Sequence, residues 1–429
     1  MNKSLLKTVI FDQHEVIKET LIVEREYEFD LNLNYVLVGL RRAGKSTLLY
    51  KIVKDLISKG TKWEQIIYIN FEDDRLEGFT KEDFDNLLIV QSELSDKKGW
   101  FFFDEIQNID GWERFARRMA DSKEHVFITG SNSQMLSKEI EARLGGRYMT
   151  KYIMPYNFRE FLKANSFEFK KFLATKEQGK IKRLFELYLQ QGGLPETVYI
   201  KDKREYLSNV YKKVLLGDIA YRNNIRNLNG LKFLIKKLAE SVKDELSYNK
   251  LSNMLKSLGL PISKDSIIDY ISYTEDACLL FPIYNFSAKF VERGTSPKYY
   301  FEDNGILNLF LVDADSRLLE NLVAIMLWTY YKEQVFYLKG TTFDIDFYVP
   351  VAGLVVQVAY SIKEISSNRE TESIVKAAKQ ISGIKKAVIV TYDEEAEIKE
   401  EDLLIEVIPL WKLLLDETFT KTLNQKPLT

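Results

Sequence analysis

Residues 39–46 read GLRRAGKS, which matches the phosphate-binding pattern G-x-x-x-x-G-K-[ST]. The preceding residues 34–40, NYVLVGL, form a short apolar run with β-branched members, which predicts a strand. The following residues 47–57 carry apolar side chains at a helical spacing, at Leu48, Leu49, Ile52 and Leu56. Strand, glycine loop and helix in this order predict that backbone N–H groups of the loop surround a polyphosphate.

The loop assigns roles to individual side chains. Lys45 is expected to reach the β- and γ-phosphates of a nucleotide, and the Ser46 hydroxyl is expected to bind Mg²⁺. The predicted nucleotide-binding residues of this segment are Gly39, Leu40, Arg41, Arg42, Ala43, Gly44, Lys45, Ser46 and Thr47.

Composition limits the other kinds of chemistry. The chain has 429 residues, 45% of them hydrophobic and 29% charged, which predicts about three folded domains. No apolar run reaches the length of a membrane span, and the N-terminus has no signal-peptide core, so a cytoplasmic protein is expected. The single cysteine, Cys278, excludes an internal disulfide. Two histidines, His14 and His125, are too few for a histidine metal site, so catalysis must rest on carboxylates, lysine, arginine and metal-bound water.

A second motif, FFFDEIQ at residues 101–107, is an apolar strand that ends in two carboxylates. Asp104 is expected to lie in the Mg²⁺ shell beside Ser46, as a catalytic and metal-binding residue. Glu105 is expected to orient an attacking water. The pair therefore predicts hydrolysis and not binding alone. The alternative is a strand end with two solvated carboxylates.

A third motif, ITGSNS at residues 128–133, is an apolar strand that ends in small polar residues. If this strand lies between the other two, Ser131 or Asn132 would donate a hydrogen bond near the γ-phosphate. The segment that follows contains Arg143 and Arg147, and an arginine presented to a neighbouring subunit would stabilise transition-state charge. Arg147 is the better candidate because two glycines precede it, although a surface or helix-capping arginine is the alternative.

These motifs, together with YINFEDDRL, LGGR, MPYNFREF and YLQQGGLPE, resemble the ATP-binding proteins of bacteria and archaea in the AAA-like superfamily. The resemblance covers essentially the whole chain. In related signal-transduction ATPases a glycine-x-proline turn in a helical lid touches the adenine, which would give that role to Gly193 and Pro195. The alternative for GGLPE is a simple helix break.

The resemblance also implies a restriction-endonuclease-like core in the C-terminal part, through KYYFEDNGI, LLENLVA, FDIDFYV and VVQVAYS. A nuclease of this fold uses carboxylates to hold a divalent metal and a lysine to position water. Glu320, Asp346 and Gln357 occupy the first three positions, but Ala359 stands where the lysine belongs, and Lys363 is four residues further on. Residues 301–429 carry 13 basic and 21 acidic side chains, which opposes approach to a phosphate backbone. A structural or partner-binding role is therefore favoured over an active nuclease.

Residues 226–300 carry 11 basic and 8 acidic side chains, and two short helices around a Gly-Leu-Pro turn, followed by a third helix and an apolar strand, resemble a winged helix. Lys250, Lys256 and Lys264 are compatible with DNA contact and equally with a solvated helix face. DNA is the less favoured partner.

The predicted fold class is α/β, with a P-loop NTPase parallel sheet, a helical lid, a winged-helix-like segment and a C-terminal α/β endonuclease-like domain. The predicted boundaries are 1–155, 156–225, 226–297 and 298–429. The predicted function is ATP binding and Mg²⁺-dependent hydrolysis that switches conformation or assembly, with a protein partner on the C-terminal half. A homo-oligomer would be required for an arginine that acts in trans. The alternative is an ATP-dependent DNA-binding or DNA-processing enzyme.

Overall fold

The computed structural model describes residues 1–131, 138–169, 174–287, 296–361, 369–400 and 403–416. The chain divides into two compact units, the first made of Met1–Met154 with Asp276–Cys278 and the second of Pro155–Glu275 with Leu279–Thr429. Within the described ranges, none of the helices has the length and apolar character needed to span a lipid bilayer.

The first unit is built on a five-stranded parallel sheet. The strand order is β2-β3-β4-β1-β5. The strand that ends in the small polar residues, β4, pairs with both the phosphate-loop strand β1 and the acidic strand β3, which confirms the predicted placement. The bounds of the strands are β1 (Asn34–Val38), β2 (Ile66–Asn70), β3 (Trp100–Asp104), β4 (His125–Gly130) and β5 (Tyr148–Tyr152).

Helices cover this sheet because their apolar faces pack on it. The predicted apolar face of the helix after the glycine loop is buried in one core with aromatic side chains of the strands. The first seventeen-residue helix, which lies in a segment without a sequence motif, buries five side chains and packs on β2. The helices are α1 (Lys3–Glu19), α2 (Lys45–Ser58), α3 (Phe84–Leu94), α4 (Trp112–Asp121) and α5 (Lys138–Leu144).

The second unit begins with helices. The helical spacing after residue 155 corresponds to α6 (Phe158–Ala164), α7 (Thr175–Gln191), α8 (Lys203–Lys213), a π-helical segment (Val214–Tyr221), α9 (Leu228–Glu240), α10 (Tyr248–Ser257) and α11 (Lys264–Asp276). Lys250, Lys256 and Lys264 are exposed. The strand after α11 pairs with two neighbours of a larger sheet, so the winged-helix-like segment stays a prediction.

That larger sheet is mixed and has eight strands in the order β12-β13-β11-β10-β9-β8-β6-β7. Its strands are β6 (Leu280–Asn285), β7 (Lys298–Phe301), β8 (Phe336–Lys339), β9 (Asp344–Val349), β10 (Leu354–Val358), β11 (Lys386–Thr391), β12 (Ala396–Glu400) and β13 (Leu403–Pro409). The remaining helices are α12 (Asn304–Asn308), α13 (Asp315–Tyr331), α14 (Arg369–Gln380) and α15 (Leu410–Leu413). The α/β prediction is confirmed, whereas the division into four domains and the endonuclease-like assignment stay predictions.

Candidate active site

The predicted phosphate-binding segment forms the loop between β1 and α2. A Cβ atom at Gly39 would lie 2.1 Å from the Ile153 carbonyl oxygen, so a residue with a side chain would not fit against β5. Gly44 has φ 93°, a left-handed conformation that suits glycine, and it caps the N-terminus of α2. The loop therefore leads directly into a helix N-terminus, where backbone N–H groups have no intrahelical partner and can bind an anion.

Lys45 is the first residue of α2, and its side chain is buried. Its Nζ donates hydrogen bonds to the carbonyl oxygens of Gly39 at 3.0 Å and Leu40 at 3.1 Å. The same Nζ lies 4.0 Å from Glu105 Oε1. The ammonium group is therefore held between the glycine loop and the end of β3, where a nucleotide phosphate would be bound.

Asp104 ends β3 in full burial. Its carboxylate accepts hydrogen bonds from the hydroxyl groups of Tyr68 at 2.8 Å, Thr129 and Ser46. Burial and the neighbouring Glu105 carboxylate raise the pKa of Asp104, and these hydrogen bonds oppose that rise. Ser46 and Asp104 are thus in contact, as the predicted Mg²⁺ pair requires.

Glu105 is the residue after Asp104, and its backbone φ of 53° lies in the left-handed region. Its N–H donates to the Thr129 hydroxyl at 3.0 Å, so Thr129 bonds to both residues of the acidic pair. Burial alone would raise the pKa of Glu105, but Lys45, together with Gln107 and Arg41, holds it below its ordinary value. Glu105 is therefore a buried carboxylate kept in the ionised form, which a base that accepts a proton from water needs to be.

The other predicted residues of the first unit have different outcomes. Ser131 is buried, and among the described residues its hydroxyl oxygen has no hydrogen-bond partner. Asn132 lies outside the described residues. Leu40 and Ala43 are buried, while Thr47 is half-buried and Arg42 is exposed.

Arg147 lies far from its own phosphate loop. It precedes β5, whose first residue pairs with Asn34 at the start of β1, whereas the loop leaves the other end of β1 after Val38. Five residues of strand, at about 3.3 Å each, separate the two ends. Arg147 pairs with Asp121, and Arg143 pairs with Glu113 at 2.6 Å. An action of Arg147 on the nucleotide of its own chain is excluded, and the in-trans role stays a prediction.

Gly193 and Pro195 lie in the second unit. The Gly193 N–H donates to Asp303 Oδ2 at 2.8 Å, and its carbonyl oxygen accepts from Tyr156 N–H at 2.7 Å. Pro195 starts a short 3-10 helix, Pro195–Val198. The turn is therefore a fixed structure anchored on Asp303, and its contact with adenine stays a prediction.

The C-terminal residues form a separate buried cluster. Glu320 accepts a hydrogen bond from Tyr300 at 2.9 Å, and Asp346 accepts one from the Val358 N–H at 2.9 Å. Burial and the Asp346 carboxylate raise the pKa of Glu320 to about 7. The side chain of Gln357 accepts from the Asp346 N–H at 3.2 Å.

Sequence reasoning missed two lysines of this cluster, and one of them, Lys243, has its Nζ 3.6 Å from Glu320 Oε2. The expected position holds Ala359, and Lys363 lies outside the described residues, but Lys298 on β7 is buried with its Nζ 3.7 Å from Asp346 Oδ1. Burial would lower the pKa of Lys298, and the carboxylates of Asp346 and Glu320 raise it instead. An ammonium group is therefore present beside Asp346, supplied from a different strand.

Other residues missed from the sequence support the nucleotide loop. Arg25 is buried and donates to the carbonyl oxygens of Ala43 at 2.9 Å and Met154 at 2.8 Å. Tyr68 and Thr129 hold Asp104, as described above. Arg25 could have been found from the sequence because it lies shortly before an apolar strand. Tyr68 and Thr129 could not, because in the sequence they resemble ordinary strand residues.

Comparison with known proteins agrees with this geometry. Residues 32–162 match the family model of an AAA domain, and residues 182–317 match a domain of unknown function, DUF8612. The chain is 34% identical to the uncharacterised protein MJ1544 of Methanocaldococcus jannaschii, over 96% of this chain and 95% of that protein. An uncharacterised protein of Haemophilus influenzae is 32% identical, over 86% of this chain and 92% of its own length. The chain belongs to the same family as these two proteins.

The segment that matches the AAA model contains the glycine loop, the Asp104–Glu105 pair and all five strands of the parallel sheet. Among solved structures, the Walker-type ATPase PABY2304 of Pyrococcus abyssi aligns over 69% of this chain and 99% of that chain, with 14% identity and a TM-score of 0.43. The DUF8612 match extends from α7 into α13.

Proposed function

We propose that this protein binds ATP with Mg²⁺ and hydrolyses it. The observation that carries the proposal is the single buried site in which Lys45 lies 4.0 Å from Glu105 and the Ser46 hydroxyl bonds to Asp104. Ser46 and Asp104 would hold Mg²⁺, with phosphate oxygens as further ligands, as is usual for this ion. Among the described residues, no cluster of three or more carboxylate, histidine or cysteine side chains could hold a metal alone, which fits a site completed by the nucleotide. Bound Mg²⁺ would neutralise charge on the phosphates.

The chain's own residues then divide the remaining work. Lys45 is placed to bind the β- and γ-phosphates, and Glu105 accepts a proton from the attacking water. Thr129 fixes the acidic pair through one hydroxyl group that donates to Asp104 and accepts from the Glu105 N–H. Because Glu105 is hydrogen-bonded and ionised before any nucleotide contact, little reorganisation is needed for catalysis.

We propose that hydrolysis switches the conformation or the assembly of the protein and that the second unit binds a protein partner. Two features support a partner role for that unit. Glu320 of its carboxylate cluster is completely buried and bonded to Tyr300, Asp346 is bonded to the Val358 N–H, and residues 301–429 carry an excess of eight acidic side chains. An acidic surface favours a basic protein partner over a nucleic acid backbone.

Replacement of the base tests the proposed hydrolysis. Glu105→Gln should bind ATP with wild-type affinity but turn it over about 10² to 10⁴ times more slowly, because the base is lost and the phosphate loop remains. Lys45→Ala should lose ATP binding. Phosphate release with Mg²⁺-ATP and equilibrium binding of a fluorescent ATP analogue measure the two effects. Glu77→Gln, an exposed carboxylate of the same unit, is the control. Turnover by Glu105→Gln within about threefold of wild type would contradict the assignment.

DNA processing is the second candidate function, and Lys298 is the observation that favours it. Its ammonium lies 3.7 Å from Asp346 and supplies the charge that Ala359 lacks. We rank this candidate second because Gln357 provides no negative charge for a metal and Glu320 is completely buried.

The assay for this candidate uses supercoiled plasmid and branched DNA with Mg²⁺ or Mn²⁺, in the presence and absence of ATP. We expect no cleavage, since a lost acid or base costs about 10² to 10⁴ in rate and the acidic surface opposes binding. Nicking by the wild type that disappears in both Asp346→Ala and Lys298→Ala would move DNA processing to first place.

A further inference from the structure

Two neighbouring arginines of the phosphate loop differ in solvent exposure and in their contacts. Arg42 is exposed, whereas the Arg41 side chain is 15% exposed and donates from Nη1 to Glu72 Oε1 at 2.8 Å. Glu72 follows β2, and the last residue of β2, Asn70, pairs with Asp104 at the end of β3. Glu72 and Glu105 therefore leave the sheet at the same edge, and Arg41 extends along this edge.

Arg41 also acts on the candidate base. Its guanidinium interacts electrostatically with the Glu105 carboxylate, as the Lys45 ammonium does. Lys45 lies 4.0 Å from the same carboxylate. Two cations of one loop thus face Glu105, which is the group that would contact the water attacking the γ-phosphate.

We propose that Arg41 is a catalytic arginine supplied in cis, whose guanidinium binds the γ-phosphate of ATP on the same chain and stabilises its transition state. Glu72 holds this guanidinium beside the site and competes with the phosphate for it. The proposal rests on the ATP hydrolysis proposed above. It gives the side chain of Arg41 a role in the reaction, beyond the backbone contact that any residue of the loop can make.

The chemical step needs no further reactant. The water oxygen forms a bond to the γ-phosphorus while the bond from that phosphorus to the bridging oxygen breaks. The electron pair of the broken bond stays on ADP, and the proton of the water goes to Glu105. Negative charge spreads over the γ-phosphate oxygens in this step, and a planar guanidinium can bind two of them. A lysine carries the same charge but lacks the two-pronged geometry.

The experiment measures turnover and affinity separately on the full chain. Arg41→Ala should lower kcat by about 10³-fold, the lower end of the range for such arginines, and leave the Kd for ADP within about threefold. The Kd for ADP with aluminium fluoride, a mimic of the transition state, should rise by at least about 100-fold. Arg41→Lys should bind ATP about as tightly as the wild type but recover little of the turnover that Arg41→Ala loses. Arg118→Ala removes a surface arginine of α4 that pairs with Asp85 and should match the wild type.

The Glu72 part of the proposal has its own variant. Glu72→Gln should bind ATP about two- to fivefold more tightly, because an exposed ion pair of small energy no longer competes with the phosphate. Weaker ATP binding by Glu72→Gln would contradict the competition.

Several outcomes would overturn the assignment of Arg41. A kcat of Arg41→Ala within about threefold of wild type would do so, and so would an equal loss of ADP and ADP–aluminium fluoride affinity, which indicates general electrostatic attraction. Retained ADP binding by Arg41→Lys shows that the loop is folded. If wild-type protein does not hydrolyse ATP, or if Lys45→Ala does so equally well, the proposed function fails as well. If turnover by the wild type requires Lys45 and Glu105 but not Arg41, the catalytic role of Arg41 is wrong and the proposed ATP hydrolysis stands.

Discussion

Asp303 is a fully buried carboxylate at the start of α12. Its two oxygens accept backbone N–H groups, from Ile306 at 3.0 Å on one side and from Gly193 at 2.8 Å on the other. Burial raises the pKa of Asp303 to about 6, although these hydrogen bonds act in the opposite direction. The residue therefore fixes the Gly193 turn, and its ionisation is less favourable in the folded protein than in the unfolded chain.

The unfavourable ionisation of Asp303 predicts that the free energy of unfolding depends on pH. The folded pKa of about 6 lies above the ordinary value of 3.8, so the contribution of Asp303 is fully present below about pH 4 and is lost as the pH rises through 6. Asp303→Asn cannot ionise. The free energy of unfolding of the wild type minus that of Asp303→Asn should thus fall between pH 4 and pH 7 by up to about 3 kcal/mol. Denaturant titrations at several pH values measure this difference. A difference that does not vary with pH would show that Asp303 stays ionised or neutral throughout.

The sequence could predict those residues of the candidate site that belong to a local motif. Lys45, Ser46, Asp104 and Glu105 were identified because their spacing to a strand end is fixed within one short segment. Thr129 was not, because it reaches Asp104 only through the pairing of β3 with β4. The same reason applies to the second unit. The lysine was expected two residues after Gln357 on the same strand, but Lys298 approaches Asp346 from β7.

At the scale of elements, α1 shows a similar limit. Its apolar residues follow a helical spacing, but the segment contains no motif that places it in the fold. In the structure its buried face covers β2, and His14 Nε2 lies 2.9 Å from the Ile66 carbonyl oxygen. The helix is therefore an integral layer of the first unit, next to the strand that carries Tyr68.

Truncation of one side chain on each face of α1 tests this packing. Ile10→Ala should lower the free energy of unfolding by about 2 to 5 kcal/mol, because it opens a cavity at a completely buried site. Val16→Ala on the exposed face of the same helix should change it by less than about 0.5 kcal/mol. Chemical denaturation of the full chain gives both values. Equal effects of the two substitutions would show that α1 is not packed as described.

Strands were predicted well where both faces are apolar. The apolar runs at residues 34–40, 101–107 and 128–133, which were predicted to be strands, contain β1, β3 and β4, because buried parallel strands have continuous apolar runs. β12 (Ala396–Glu400) was missed. Its sequence AEIKE alternates with charged residues, and it lies at an edge of the sheet, where charge is favourable.

At the scale of the whole molecule, the position of Arg147 raises the question of assembly. Its side chain pairs with Asp121 at the amino end of β5, and the phosphate loop leaves β1 at the opposite edge of the sheet. Arg41 already lies at the phosphate end in cis. A role for Arg147 in hydrolysis therefore requires a second copy of the chain, whose nucleotide would lie against this edge.

Mixing two inactive variants tests that arrangement. Arg147→Ala retains an intact phosphate loop, and Lys45→Ala retains the arginine, so an interface between them would contain one complete site. We expect each variant to be inactive alone and the mixture to regain on the order of a quarter of wild-type activity, as random pairing of neighbours gives, since arginines of this kind contribute 10³-fold or more. A mixture of Lys45→Ala with Glu105→Gln, in which the loop or the base is defective at every site, is the control and should stay inactive. Light scattering in the presence of ATP measures the assembly directly. A monomer under those conditions, or a mixture no more active than its parts, would leave Arg147 as a surface residue and Arg41 as the arginine that serves the γ-phosphate.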